Sequence, residues 1–229
     1  MNKARILNNN LLDDVQSSIS RYAIAFIDKN VPDYKFLTQG AIAGTEVVLL
    51  DPDRDGVRQI TAVLAQRVGV TSVHIVSHGM PGQIQLGNVY LSVETINRYA
   101  VDCQQWAIAL AKESELVIYG CEVAQGKLGK SLIWQLSELT GVTVTASETK
   151  TGNTALGGDW NLTVTTGTKT ADLAFLPMTR EKYSGVLADN VVQDVNFNLI
   201  AGTAGNDSLT GTIADDIING DAGNDTLSG

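Results

Sequence analysis

The apolar positions of this chain follow two periods, and their alternation predicts the fold. Short, β-branched runs read as strands buried on both faces: Tyr22-Ala-Ile-Ala-Phe-Ile-Asp28, Glu46-Val-Val-Leu-Leu-Asp51, the run from Ser72 to Val76, Leu116-Val-Ile-Tyr119, and Val142-Thr-Val-Thr-Ala-Ser147. Between them, apolar residues recur at helical spacing. Val57, Ile60 and Leu64 form one stripe; Val93, Ile96, Ala100, Cys103 and Leu110 form a second; Leu128, Leu132, Leu136 and Leu139 form a third, with Gly141 as its stop. Gly82 to Gly87 followed by Val89-Tyr-Leu91 reads as a hairpin, and Trp160-Asn-Leu-Thr-Val164 alternates as an edge strand would. Strand and helix in turn predict an α/β domain, a mostly parallel sheet with helices on both faces.

The pattern divides the chain. Residues 1–20 are polar and read as an arm, 21–187 as the α/β domain, 188–200 as a linker, and 201–229 as a repeat. Gly202-Thr-Ala-Gly-Asn-Asp-Ser-Leu-Thr210, Gly211-Thr-Ile-Ala-Asp-Asp-Ile-Ile-Asn219 and Gly220-Asp-Ala-Gly-Asn-Asp-Thr-Leu-Ser228 are three nonapeptides, and Gly229 opens a fourth. The sequence therefore reads as a piece of a longer protein. Asp207, Asp216 and Asp225 recur at period nine, as do Leu209, Ile218 and Leu227. Each turn of a short parallel β-roll would then offer one carboxylate outward and one aliphatic inward. Carboxylates and the carbonyls of glycine-rich turns are oxygen donors suited to Ca²⁺, so the three aspartates are candidate metal ligands. Without calcium, such a polar acidic stretch is expected to be disordered; binding would fold it.

Charge and cysteine count narrow the function classes. With 16 Lys and Arg against 25 Asp and Glu the net charge is −9, and no basic cluster marks a nucleic-acid surface. No window is long and apolar enough to span a bilayer, and the amino terminus lacks the pattern of a secretory signal peptide. Two cysteines are too few for a disulfide framework, and Cys103, on its helical stripe, reads as a core thiol. Two histidines and no Cys-x-x-Cys give no zinc pattern; His74 and His78, four strand positions apart, are roughly 13 Å from each other in an extended chain. Asp51-Pro-Asp-Arg-Asp-Gly56 begins like a calcium loop, but Ala62 stands where the bidentate Glu belongs; a strand-to-helix turn with capping aspartates explains the same residues.

The candidate chemistry sits at two strand ends. Ser72-Val-His-Ile-Val-Ser-His-Gly-Met80 delivers His78, and Leu116-Val-Ile-Tyr-Gly-Cys121 delivers Cys121, each at the carboxyl end of an apolar strand, where open α/β sheets keep their sites. A thiol attacks a carbonyl as thiolate and needs a nearby imidazole to take its proton or to protonate the leaving amine. Gly79 and Gly120 would let backbone approach a substrate and leave N–H groups facing a developing oxyanion. A buried structural thiol and a turn histidine remain the plainer reading of each residue alone.

These motifs resemble the caspase-like cysteine peptidases, and more closely, through Val73 to Gly82, Ile118 to Gly126 and Thr151-Gly to Gly157-Gly-Asp-Trp160, an uncharacterised caspase-like domain found in large secreted proteins with calcium-binding repeats. The resemblance implies Cys121 as nucleophile, His78 as general acid/base, and the N–H groups of Gly79 and Cys121 as the oxyanion hole. It places Asp28 beside the pocket for the residue before the scissile bond, with Glu122, Glu148 and Asp159 as further acidic walls, hence cleavage after Arg or Lys; a loop cap accounts for Asp28 equally well. The nonapeptides resemble RTX, or haemolysin-type, repeats of the form G-G-x-G-x-D-x-U-x, departing from it at Thr203, Thr212, Asp221 and Ala214. That likeness implies calcium and export by type I secretion machinery to the medium or cell surface. The expected protein is a secreted cysteine endopeptidase acting on a peptide or protein, its own chain or export partner included. The competing readings are a non-catalytic surface or adhesion module and, more remotely, a small-molecule thiol hydrolase.

Overall fold

In a computed structural model of the chain the described residues are 22–168, 171–188, 198–201, 203–210, 216–219 and 223–228; the arm expected over 1–20 and most of the 188–200 linker fall outside them. The chain divides into two compact units, residues 1–189 and 190–229.

The first unit alternates strand and helix as the hydrophobic pattern predicts. It runs β1 (Ala23–Asp28), α1 (Tyr34–Gln39), β2 (Thr45–Leu50), α2 (Gly56–Leu64) and β3 (Val70–Val76). A meander follows, β4 (Gly79–Met80), β5 (Gln83–Leu86) and β6 (Val89–Ser92), then α3 (Ala100–Ala109) and β7 (Leu110–Tyr119). The unit closes with α4 (Gly126–Thr140), β8 (Thr143–Ala146), β9 (Val164–Thr165) and α5 (Pro177–Lys182). The sheet order is β2-β1-β3-β7-β8-β9, parallel except for the antiparallel edge strand β9.

Each buried strand feeds two cores, which is why its sequence is continuously apolar. Ile24, Phe26, Ile75 and Ile118 pack on one face against residues of α2, α3 and α4, including Ile60, Trp106 and Leu132. Ala25, Ile27, Val117 and Tyr119 point to the other face, where they meet Leu37 of α1 and the aromatic residues Trp160, Phe175 and Tyr183. Cys103 is wholly buried in the first core, as its stripe predicts. The Asp51 to Gly56 turn takes the capping role: Asp55 accepts the Arg58 N–H at 3.1 Å at the start of α2, and Gln59 bonds the backbone of Asp51. Gly141, at φ 70°, ends α4 in the left-handed conformation.

Two elements depart from expectation. The stripe from Val93 breaks into a 3-10 turn, Ile96–Tyr99, and α3, and the chain extends at Leu110, six residues ahead of the apolar run of β7. Exposed Lys112 and Glu113 take up a register shift opposite Val70 and Ser72, with Glu113 at φ 63°. The edge strand expected over Trp160 to Val164 shortens to β9, because Trp160 turns into the aromatic cluster, 5.8 Å from Phe175 and 5.7 Å from Tyr183.

The second unit contains β10 (Asn198–Ala201), β11 (Ser208–Thr210), β12 (Asp216–Asn219) and β13 (Thr226–Ser228). β10 pairs in parallel with β12 and β11 with β13, Asn198 opposite Asp216 and Ser208 opposite Thr226. The offset is 18 residues (216 − 198 and 226 − 208), so two nonapeptides make one structural repeat and alternate ones lie in different sheets, where one nonapeptide per turn was expected. β10 also lies largely in the stretch read as linker. Leu227, expected inside, is 51% exposed, since no further described strand covers it.

His74 is a structural histidine. Its Nδ1 lies 3.2 Å from the Tyr119 hydroxyl and its Nε2 3.1 Å from Ser72 Oγ. The Tyr119 oxygen also accepts the Ala174 N–H at 2.9 Å, and burial keeps the imidazole neutral. Burial pushes its pKa down from 6.5 to about 4. A depressed histidine contributes stability that is whole above pH 6.5 and lost as pH falls toward 4, about 3 kcal/mol in all. Urea denaturation at pH 7 and pH 4.5 should show most of this loss, and His74→Gln should flatten the difference while lowering stability at pH 7.

Candidate active site

Parallel pairing of β3 with β7 brings the two strand ends together. The register holds to Val76 opposite Tyr119, and the Ser77 N–H continues it onto the Tyr119 carbonyl at 3.0 Å. His78 and Cys121 each follow two residues later. The glycines beside them are required by this approach: a Cβ on Gly79 would stand 2.5 Å from Val123 Cγ2, and one on Gly120 3.3 Å from Gly79 Cα.

The imidazole of His78 is 6% exposed. Its Nε2 lies 3.0 Å from the carbonyl oxygen of Asn30, which can only accept, so Nε2 carries the proton. In the neutral ring Nδ1 is then the lone pair, and this nitrogen is buried without a partner. An orphaned basic nitrogen in a protein interior costs on the order of 1–3 kcal/mol, and a second-row helper for another group is one reason to keep it. Cys121 is also buried; its sulfur accepts the Thr151 N–H at 3.2 Å and lies 3.7 Å from the Thr151 carbonyl. Burial pushes the thiol up to about 11, against a smaller downward pull from the Thr151 N–H. Thiol and imidazole share no hydrogen bond: the sulfur's partners are the backbone groups of Thr151, and Nδ1 of His78 has none.

The N–H groups of Gly79 and Cys121 converge on one oxygen. Both donate to the carbonyl of Leu187, at 3.0 and 3.1 Å. Two backbone N–H groups aimed at one carbonyl oxygen are what a developing oxyanion needs. The Leu187 side chain is fully buried in the core that holds Val31, Cys121, Trp160 and Tyr183. Sequence reasoning missed Leu187; the only signal was a short apolar run, Val186-Leu187-Ala188, between Gly185 and Asp189. Asn30 and Thr151 were missed as well, because they act through backbone atoms that any residue carries.

The acidic wall expected around a basic side chain is otherwise engaged. Asp28 is fully buried, with Oδ1 accepting the Asn30 N–H at 2.9 Å and Oδ2 the Gly87 N–H at 2.6 Å. It clasps the end of β1 to the turn between β5 and β6, and by holding Asn30 it fixes the carbonyl that orients His78. These contacts are those of a loop cap, the second of the two roles expected for Asp28. Glu148 pairs with Lys130 at 3.0 Å, and Asp159 accepts from Thr149 Oγ1 at 3.0 Å and the Asn161 N–H at 2.6 Å. Glu122, half-buried and at φ 59°, sends its N–H to Thr149.

A cleft of about 530 Å³ opens at the opposite, amino-terminal end of the strands, lined by Thr45, Ser72, His74, Glu115 and Asp172 among others. It is remote from Cys121, whose own end of the sheet is covered by Leu187. In the second unit, Asp207 Oδ2 accepts the Thr203 N–H at 2.6 Å and Asp225 Oδ1 the Asp207 N–H at 2.9 Å, stacking two of the three candidate metal ligands one repeat apart. These acceptor-only groups suit a hard cation. The side chain of Asp216 lies outside the described residues.

A family model described as a domain of unknown function (DUF4347) matches residues 24–187. The model of the RTX calcium-binding nonapeptide repeat, in four copies, matches residues 196–229, about five residues earlier than the expected boundary. No curated protein matches the chain. Loss of the Asp28 clasp should register as stability: Asp28→Ala strands two N–H groups and is expected to lower unfolding free energy by roughly 2–4 kcal/mol in urea titrations.

Proposed function

Because the chain belongs to the family described as the domain of unknown function DUF4347, and that description assigns no activity, we propose from the site itself that the α/β unit is a cysteine endopeptidase. Cys121 is the nucleophile, His78 the acid/base, and the Gly79 and Cys121 N–H groups the oxyanion donors. The observation that carries the reading is the coincidence of a buried, partnerless imidazole nitrogen with two N–H groups converging on a carbonyl oxygen, both at the strand ends that present the thiol. A turn histidine and a core thiol account for neither.

The chemistry follows from the tautomer. Nδ1 of His78 is the lone pair that takes the Cys121 proton as sulfur attacks, and the same Nδ1–H then protonates the leaving amine. The thiol's raised pKa makes this transfer obligatory: at pH 7 a group titrating near 11 is thiolate in only about one molecule in 10⁴. Asn30 holds Nε2 so that Nδ1 keeps its orientation. The preference for Arg or Lys is not retained, since Asp28 is clasped by backbone N–H groups and Leu187 supplies an apolar side chain at the matching position.

The carboxy-terminal repeats bind calcium, which marks the chain as a calcium-binding protein of the secreted type. Asp207 and Asp225, stacked on one side, would hold an ion, whose charge offsets the clustered carboxylates and lets successive strands stack as a β-roll; Asp216 would serve the intervening nonapeptide in the same way. Export by a type I system belongs to the same proposal. The second reading, a non-catalytic surface module, is favoured by the absence of a hydrogen bond between Cys121 and His78.

Purified protein and Cys121→Ala, each with and without calcium, incubated with peptides varied before the scissile bond, separate the two. The peptidase reading expects cleavage by the wild type and its loss, by roughly 10³-fold or more, in the variant; equal behaviour across the panel overturns it. For the tail, removing calcium with a chelator should abolish the β signal of residues 196–229 in circular dichroism of that segment, and Asp207→Asn together with Asp225→Asn should raise the calcium concentration needed to restore it at least tenfold.

A further inference from the structure

We propose that the Leu187–Ala188 peptide bond is the domain's own substrate, held at Cys121 for cleavage in cis; the inference rests on the peptidase reading above. The segment before this bond lies across the carboxyl edge of the sheet in extended form. The Asn153 N–H donates to the Gly185 carbonyl at 2.8 Å, Gly152 bridges Val186 in antiparallel fashion, and the Leu187 N–H donates to the Thr151 carbonyl at 2.9 Å. Beyond it, Ala188 bridges Gly79. Extended backbone bonded along one edge is how a peptide docks by strand addition, with alternate side chains entering pockets. Here one carbonyl, that of Leu187, sits at 3.0 and 3.1 Å from the two oxyanion donors.

The fit extends along the segment before that carbonyl. Gly152, at φ 134°, has no room for a side chain, since a Cβ there would lie 2.5 Å from the Gly185 carbonyl oxygen. Tyr183 anchors the segment upstream, its hydroxyl donating to the Pro32 carbonyl at 2.8 Å and its own carbonyl accepting from Asn153 Nδ2 at 2.6 Å. The Leu187 side chain fills an apolar pocket walled by Val31, Trp160 and Tyr183. The residue before the scissile bond is therefore apolar.

The reaction balances with water alone. Cys121 gives its proton to His78 Nδ1 and its sulfur bonds the Leu187 carbonyl carbon, moving an electron pair onto the oxygen that the Gly79 and Cys121 N–H groups hold. Collapse of this intermediate breaks the bond to the Ala188 nitrogen, which leaves with the proton from Nδ1. Water, losing its proton to His78, then hydrolyses the thioester and restores the thiol. One peptide bond and one water become a carboxylate at Leu187 and an amine at Ala188, and the cut falls two residues before the end of the first compact unit, leaving the repeats on the released fragment.

Intact mass of the full chain over time, with and without calcium, is the test, read beside cleavage of a leucine-containing peptide in trans. The expected products are a fragment ending at Leu187 and one whose amino-terminal sequence is Ala188-Asp-Asn, both absent from Cys121→Ala. Leu187→Lys, which puts a charge in an apolar pocket, should slow the cut at least about 100-fold, whereas Leu187→Met should be cut. In case Leu187→Lys fails to fold, Ala188→Pro alters only the half-buried leaving side and should also block the cut. If Cys121-dependent cleavage of peptides is seen while the chain stays whole, is cut at another bond, or is cut as fast in Ala188→Pro, this inference is overturned and the peptidase reading stands. Failure to cut chain and peptide alike overturns both.

Discussion

The parallel register between β3 and β7 is the constraint on which the rest of the site depends. Strand side chains alternate faces, so a slip of one residue would send His74, Val76 and Tyr119 into the wrong core. The pairing is pinned from both sides: Ile75 opposite Ile118 serves one core, and His74 opposite Val117 serves the other. Two residues past the last pair, the same register sets the backbone of His78-Gly79 against that of Gly120-Cys121. Core packing thus supplies the precision that a two-residue site requires, and the glycines let the strand ends close to contact distance.

How much of this was legible in the sequence depended on whether residue type or backbone carried the information. The strands, the three main helices and the adjacency of His78 and Cys121 follow from periodicity and from the rule that α/β sites gather at carboxyl strand ends. Leu187, Asn30 and Thr151 were invisible because each acts through a carbonyl or N–H, and no pattern of side chains announces where a loop's backbone will point. Asp28 was ambiguous for another reason. An acid at a strand end suits both a substrate wall and a loop clasp, and only its two short backbone bonds, at 2.9 and 2.6 Å, distinguish them.

The tail shows the same limit at the scale of a repeat. A sequence period of nine is compatible with pairing at nine or at eighteen, because each Asp and each aliphatic recurs under either. The chain pairs at eighteen, placing Asp207 over Asp225 and leaving the intervening nonapeptide to the other sheet. Like charges stacked in this way repel unless a cation lies among them. Bound calcium would therefore be a structural element of this segment in the same sense that Leu132 or Phe26 is of the α/β unit.

If the Gly79 and Cys121 N–H groups are the oxyanion donors proposed above, their bonds to the Leu187 carbonyl have a kinetic corollary. A carbonyl delivered by the same polypeptide needs no diffusional search, so its engagement is first-order and indifferent to dilution, and it meets Cys121 at an effective concentration no separate peptide would match. Such an arrangement keeps time instead of sensing abundance. Under the proposed cleavage each molecule would carry one internal clock, started by whatever completes the fold around Leu187 and able to run only once.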